Sequence, residues 1–290
     1  MIAFLSPVCN ICAMTNPPPP RGELPPGAFT GDQTPDTWDW SDDQPITDVL
    51  YQKQRIEELN HARAFLPEAL AQVGYRGCDA ACVAYINRLL GDELTTPADV
   101  DAIFNRKPDD ALNDIAANLW LLDKGLGIDT FSTPSADNTA MHNFLEGNYT
   151  VDDMITYNEG RTGQSITGQL RADYAKYYGS IMLSHRLNKS RFDIHRTAGK
   201  LHEHDDMPVT LDLVQRLVDE DKVVKCYLKS DDYVGASHTV LLFKPHGLGE
   251  MLQYDPAPNY ATGQANPHIQ LPPSNLVDRL KTDFIAAYYK

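Results

Sequence analysis

The chain has 290 residues, 42% of them hydrophobic, enough to bury the core of one large domain. Its 25 Lys and Arg stand against 40 Asp and Glu, a formal net charge of −15, which opposes docking on a phosphate backbone or an anionic bilayer and argues against nucleic acid as a partner. No run of about 18 apolar residues occurs, so no membrane-spanning helix is expected.

The opening stretch "MIAFLSPVCNICAMTNPPPP" has no basic residue ahead of its apolar run, and Pro7 and Asn10 interrupt it. A cleavable signal peptide is therefore not expected, which points to synthesis in the cytoplasm and, for export, to a dedicated secretion system. Five cysteines (Cys9, Cys12, Cys78, Cys82 and Cys226) are too few and odd in number for a disulfide framework, so reduced thiols are expected. Residues 15 to 45 mix proline, glycine and acid too densely for a helix or strand to propagate, so residues 1 to 45 read as an extended or disordered arm. Trp38 and Trp40 within it are expected to cover the domain's own surface. Cys9 and Cys12 have the spacing of half a zinc site, but the only other close pair, Cys78 and Cys82, is spaced for one helix face rather than for a zinc knuckle. No metal and no cofactor are expected.

Residues 46 to 290 read as one domain. Residues 48 to 70 have helical periodicity, and "AQVGYRGCDAACVAYINRLLG" follows with Cys82, Ile86, Leu89 and Leu90 on one apolar face and Gly91 as its stop. "TPADVDAIFN", "ALNDIAANLWLLDKGLG", "SADNTAMHNFLEG" and "TGQLRADYAKYYGSIMLSHRL" repeat the pattern of a capping residue ahead of three-to-four spacing, which predicts that the first two thirds of the chain are mainly helix. "GQSITG" within it reads as a turn, and "HEHDD" (His202, His204, Asp205, Asp206) as a solvated acidic loop rather than a metal site. After the helical "LDLVQRLVDEDK", the runs "VVKCYLKS", "SHTVLLFKP", "EMLQYDP" and "DFIAAYYK" are short, β-branched and aromatic. The predicted class is α+β, a helical first part followed by a C-terminal antiparallel sheet.

A hairpin closing through "HGLG" sets His238 opposite Asp255, with Cβ atoms about 5 Å apart on one face, close enough for the carboxylate to hold an imidazole N–H. A slip of one residue would separate them. Cys78 directly follows Gly77 at a helix start, where free backbone donors favour a thiolate, while Asp79 opposes this and Arg76 assists. His238 is then a candidate base for Cys78, Asp255 its orienting group, and Gln72 a side-chain donor that joins the Cys78 backbone N–H in holding an oxyanion. Cys82, one turn on, is expected to pack in the core.

"QVGYRGCDAACVAYINRLLG", "SHTVLLF" and "QYDP" resemble the cysteine helix, histidine strand and following Asp-Pro of the papain-like peptidases of the double-glycine leader (bacteriocin-processing) type. The resemblance covers about 50 residues in two blocks, and it implies a papain-like fold with Gln72 as oxyanion donor, Cys78 as nucleophile, His238 as general base and acid, and Asp255 as orienting residue. Cell-wall amidases and bacterial effectors of related clans share the order Cys, His, Asp. The chain departs from the leader peptidases at Asp79 and Ser237, where they have glycine, which implies reshaped loops near the nucleophile; Cys78 and His238 are also farther apart in sequence than those compact enzymes need, which implies a helical insertion over about 95 to 205.

The expectation is a cysteine hydrolase, peptidase or amidase, that cuts an amide through a thioester. Its substrate would be a protein or peptide, peptidoglycan peptides included, and in a bacterial toxin or effector setting an inhibitor or immunity protein would be its partner. Two alternatives stand beside it: a non-enzymatic papain-like interaction module, and deamidase or transglutaminase-type acyl transfer from the same thioester, a choice set by how well water is excluded.

Overall fold

The computed structural model describes residues 54, 57, 60, 64–73, 77–91, 94–107, 112–229, 237–245, 249–257, 268–270, 272, 276–281 and 283–290. The proline-rich arm, Trp38, Trp40, Cys9, Cys12, Arg76, most of the helical stretch over 48 to 70 and the turn residues 246 to 248 lie outside them.

In chain order the elements are α1 (Cys78–Leu90), α2 (Pro97–Ile103), α3 (Asp114–Asp123), β1 (Gly127–Ser132), α4 (Ala136–Leu145), α5 (Val151–Thr162), α6 (Gly168–Thr197), β2 (Leu201–His204), α7 (Leu211–Asp219), β3 (Val223–Lys229), β4 (Ser237–Phe243), β5 (Leu252–Asp255), β6 (His268–Gln270), α8 (Leu276–Arg279) and β7 (Phe284–Tyr289). The class is α+β. The strands form one seven-stranded sheet in the order β2-β1-β7-β3-β4-β5-β6. It is mixed rather than purely antiparallel, because β1 and β2 pair in parallel while the remaining neighbours are antiparallel. These two strands come from the stretch expected to be helical. β1 is buried along its whole length and so lacks the alternation that marks a half-exposed strand. The "HEHDD" stretch is likewise not simply a loop: its first half belongs to β2, and the His204 ring stacks on Phe131 of β1 at 4.5 Å.

Local chemistry explains most helix starts. Thr96 and Thr150 form capping boxes with Asp99 and Asp153, and Asn113, Ser135 and Thr210 accept from backbone N–H groups at the starts of α3, α4 and α7. Gly163 ends α5 in the left-handed region at φ 67°, so the "GQSITG" stretch turns the chain into α6. α1 differs, since its N-cap is Gly77 and no side chain caps it. That glycine is required by space: a Cβ there would lie 2.2 Å from the carbonyl oxygen of Val73.

α1 is also more buried than an amphipathic surface helix, because every residue from Cys78 to Asn87 is buried. It packs on β4 and α2 within a core that includes Tyr85, Ile115, Phe144, Tyr178, Leu241 and Tyr254. The other sheet face carries a second core, in which Leu213, Val214, Leu217 and Val218 of α7 meet Val224, Cys226, Val240 and Leu242. Among the described residues no helix is long and apolar enough to cross a membrane.

Candidate active site

A small set of contacts brings the sequence-predicted residues to one place. Tyr85 of α1 stacks on Tyr254 of β5 with ring centroids 4.1 Å apart, which anchors the cysteine helix beside the strand that ends in Asp255. The Tyr254 hydroxyl donates to the carbonyl of Leu70 at 2.6 Å, and the Gln72 backbone N–H donates to the carbonyl of Pro256 at 3.0 Å. The loop that precedes Cys78 is thereby tied to the end of β5, and part-buried Gln72 is held next to the Asp255-Pro256 corner by its main chain.

β4 and β5 form the expected antiparallel pair, but with a register two residues from the expected one. Leu241 pairs with Tyr254 and Phe243 with Leu252, so the ladder extended by one step sets Asp255 opposite Val240, and His238 lies on the diagonal rather than directly across. A shift of two preserves which pleat a side chain occupies, so both groups still share a face. Diagonal neighbours remain within reach of a long side chain. His238 Nε2 lies 2.6 Å from Asp255 Oδ1, and that same oxygen accepts from the Ala257 backbone N–H at 2.9 Å.

Cys78 is among the groups that raise the His238 pKa, which places the sulfur beside the ring. With Nε2 engaged by Asp255, Nδ1 is the ring nitrogen left to address the sulfur. Burial by itself lowers the His238 pKa, but the hydrogen bonds of Asp255 and of Cys78, together with the charges they carry, outweigh it and push the imidazole up to about 10. The ring is thus favoured as an imidazolium across neutral pH. Cys82 is fully buried, its sulfur directed at the Thr239 carbonyl at 3.6 Å, and burial followed by the nearby Cys78 and Asp79 raises its thiol well above the usual range. It is a packed thiol, as its place on the helix implies.

Sequence reasoning missed the polar groups beneath the sulfur. Asp79 does not face the solvent beside Cys78; it is fully buried and accepts the Thr239 hydroxyl at 2.8 Å on Oδ1. The same oxygen lies 3.7 Å from the ammonium of Lys225, which is 1% exposed and bonds Asp114 at 2.7 Å. The Tyr227 hydroxyl reaches Asp114 at 3.3 Å. Thr239 also meets Cys78, whose Sγ lies 3.7 Å from its hydroxyl oxygen. One signal for this cluster was present in "VVKCYLK": a lysine interrupts a buried apolar run at a position whose same-face neighbours, Val223 and Tyr227, pack in the core.

Among the described residues no group of three or more His, Cys, Asp or Glu side chains is arranged to hold a metal ion. Compared with known proteins, the chain matches no family model, no curated protein and no solved structure.

Proposed function

We propose that this chain is a cysteine hydrolase, papain-like in layout, that cleaves an amide bond in a protein or peptide through a Cys78–His238–Asp255 triad. One observation carries the reading: an imidazole hydrogen-bonded to a carboxylate stands beside a sulfur at an uncapped helix start, the three coming from separate segments. In the acylation step the Cys78 thiolate forms a bond to the substrate carbonyl carbon. The backbone N–H of Cys78 and the side chain of Gln72 hold the resulting oxyanion. Collapse of the tetrahedral intermediate breaks the C–N bond, and the His238 imidazolium gives its proton to the departing amine. Water, deprotonated by the now neutral His238, then attacks the thioester; the C–S bond breaks and the imidazolium–thiolate pair is restored. Asp255 keeps the ring oriented and favours its charged form throughout.

The test is alkylation by iodoacetamide at neutral pH, read peptide by peptide by mass spectrometry. Cys78 is expected to react while buried Cys82 and Cys226 do not, and His238→Ala is expected to slow the reaction at Cys78 by about 10²-fold or more, the range of a lost acid–base partner. Peptide mixtures incubated with the wild type and with Cys78→Ala should differ in new termini, or, for transfer or deamidation, in mass at glutamine. A Cys78 no more reactive than the other buried thiols would overturn the reading.

A further inference from the structure

The buried cluster below the nucleophile has no use in the mechanism as written. It is also not a cheap way to stabilise a fold, because removing two charges from water costs several kcal/mol per ion and their attraction recovers this only with good geometry. Asp79 and Lys225 are both buried, and what connects them to the nucleophile is Thr239, whose single hydroxyl stands between a carboxylate oxygen at 2.8 Å and the reacting sulfur at 3.7 Å. A hydroxyl has one proton. While that proton points at Asp79, Thr239 offers the sulfur only a lone pair, which suits an S–H donor. Rotated toward the sulfur, the same O–H donates to a thiolate, and the Asp79 oxygen it leaves still faces Lys225 at 3.7 Å.

Resting on the proposed thiol chemistry, we propose that Thr239 is a further partner of the reacting sulfur. It accepts the Cys78 S–H while Cys78 is a thiol beside a neutral His238, and donates its own O–H to the thiolate once the proton has passed to His238 and the imidazolium–thiolate pair has formed, with Asp79 and Lys225 as the positioning residues that make the rotation possible. No proton is gained or lost in the swing: the thiol proton resides on the imidazole, the hydroxyl proton stays on Thr239, and Asp79 remains a carboxylate facing a cation. Burial alone would lower the Lys225 ammonium, but Asp114, the phenols of Tyr227 and Tyr288, and Asp79 outweigh it and keep it charged well above its usual range. The site therefore has a permanent counter-charge for Asp79 when the Thr239 hydroxyl turns away. Asp79, one residue after the nucleophile, is in this account a part of the machinery rather than a charge set against it.

The titratable and charged groups around the sulfur are Asp79 and Cys82 on α1, Lys225 on β3, His238 on β4 and Asp255 on β5, so a pH profile of Cys78 alkylation reports on all of them, and the variants must separate Thr239 from the rest. Thr239→Val keeps the shape and removes the hydroxyl; Thr239→Ser restores it. The midpoint of the iodoacetamide rate against pH at Cys78 is expected to move up by about one unit in Thr239→Val, roughly a tenfold loss of reactive thiolate below the midpoint. It should return toward the wild-type value in Thr239→Ser. Urea unfolding of each variant, followed in parallel, registers any loss of packing, which would lower stability without moving the midpoint. An unchanged or lowered midpoint in a folded Thr239→Val protein overturns this inference and leaves the triad standing. A wild-type Cys78 that does not react removes the triad reading, and the inference falls with it.

Discussion

On the face covered by α7 and α8, β3 and β4 present Val224, Cys226, Leu228, Val240 and Leu242 to Leu213, Val214, Leu217 and Leu280, a core cluster built, among the described residues, from apolar side chains and one thiol. On the opposite face the same two strands present Lys225, Tyr227 and Thr239 toward α1 and α3, where Asp79 and Asp114 receive them. Alternation along a strand generates both faces from one sequence, so the difference lies in which alternate positions are polar. The apolar face gains stability in proportion to the area it removes from water. The α1 face accepts a desolvation cost and carries Cys78, the proposed nucleophile. Within β3 and β4, then, the buried ammonium lies on the side that holds Cys78.

The sharpest way to break this comparison is Lys225→Met. It leaves Asp114 and Asp79 buried without their cation, and a loss of about 4 kcal/mol is expected from removing one partner of a buried ion pair. Adding Asp114→Asn to Lys225→Met should recover part of that loss, because one stranded charge is removed. Chemical denaturation of the single and double variants measures both, and a Lys225→Met protein as stable as the wild type would mean that the two faces do not differ in kind. Next in size, Leu217→Ala on the apolar face should cost about 3 kcal/mol, transfer plus cavity, and should leave the alkylation rate at Cys78 unchanged. Lys225→Met, by contrast, should change both stability and reactivity.

The candidate site was more legible in the sequence than the sheet that carries it. Cys78 after a glycine, His238 at a strand start and Asp255 before a proline are local signals, and the meeting of the last two follows from a hairpin whose pleat parity survives a two-residue register shift. The shift itself was not legible, because the register depends on the conformation of the connecting turn and not only on where its glycines fall. α5 was missed although Thr150 and Asp153 spell a capping box, because its apolar positions are few. β1, β2 and β6 were missed for other reasons. β1 is buried on both faces and so shows no alternation, β2 is four residues with a polar edge, and β6 is three residues long, all of them strands only by virtue of distant partners. The Thr239–Asp79–Lys225 chain joins a helix near the start of the domain to strands far along it, and nothing in local spacing reveals that a lysine in one strand, a threonine in the next and an aspartate in that helix converge.

His238 and Asp255 cross the division between the two faces. By alternation His238 belongs with Val240 and Leu242, on the apolar side, while its neighbour Thr239 points to α1. It can serve the sulfur because it stands near the end of β4, beyond the last pairing of β4 with β5 at Leu241 and Tyr254, and because Asp255 holds it there. Asp255→Asn therefore gives the smallest and most discriminating of the expected effects. The amide keeps a hydrogen-bonding group in place but removes the negative charge, so the His238 pKa should fall from about 10 toward its ordinary value near 6.5, by about one to two units for the loss of one close opposite charge. The sign follows from the direction of the shift: a pKa held high by an anion drops when the anion is neutralised, so the imidazolium of the variant releases its proton at a lower pH and the ring is charged over a narrower range above neutrality. Titration of the His238 ring by NMR in the two proteins measures the change directly. An imidazole that titrates identically with and without the Asp255 charge would show that the ring is held by packing at the strand end alone, and would return His238 to the apolar face to which its pleat assigns it.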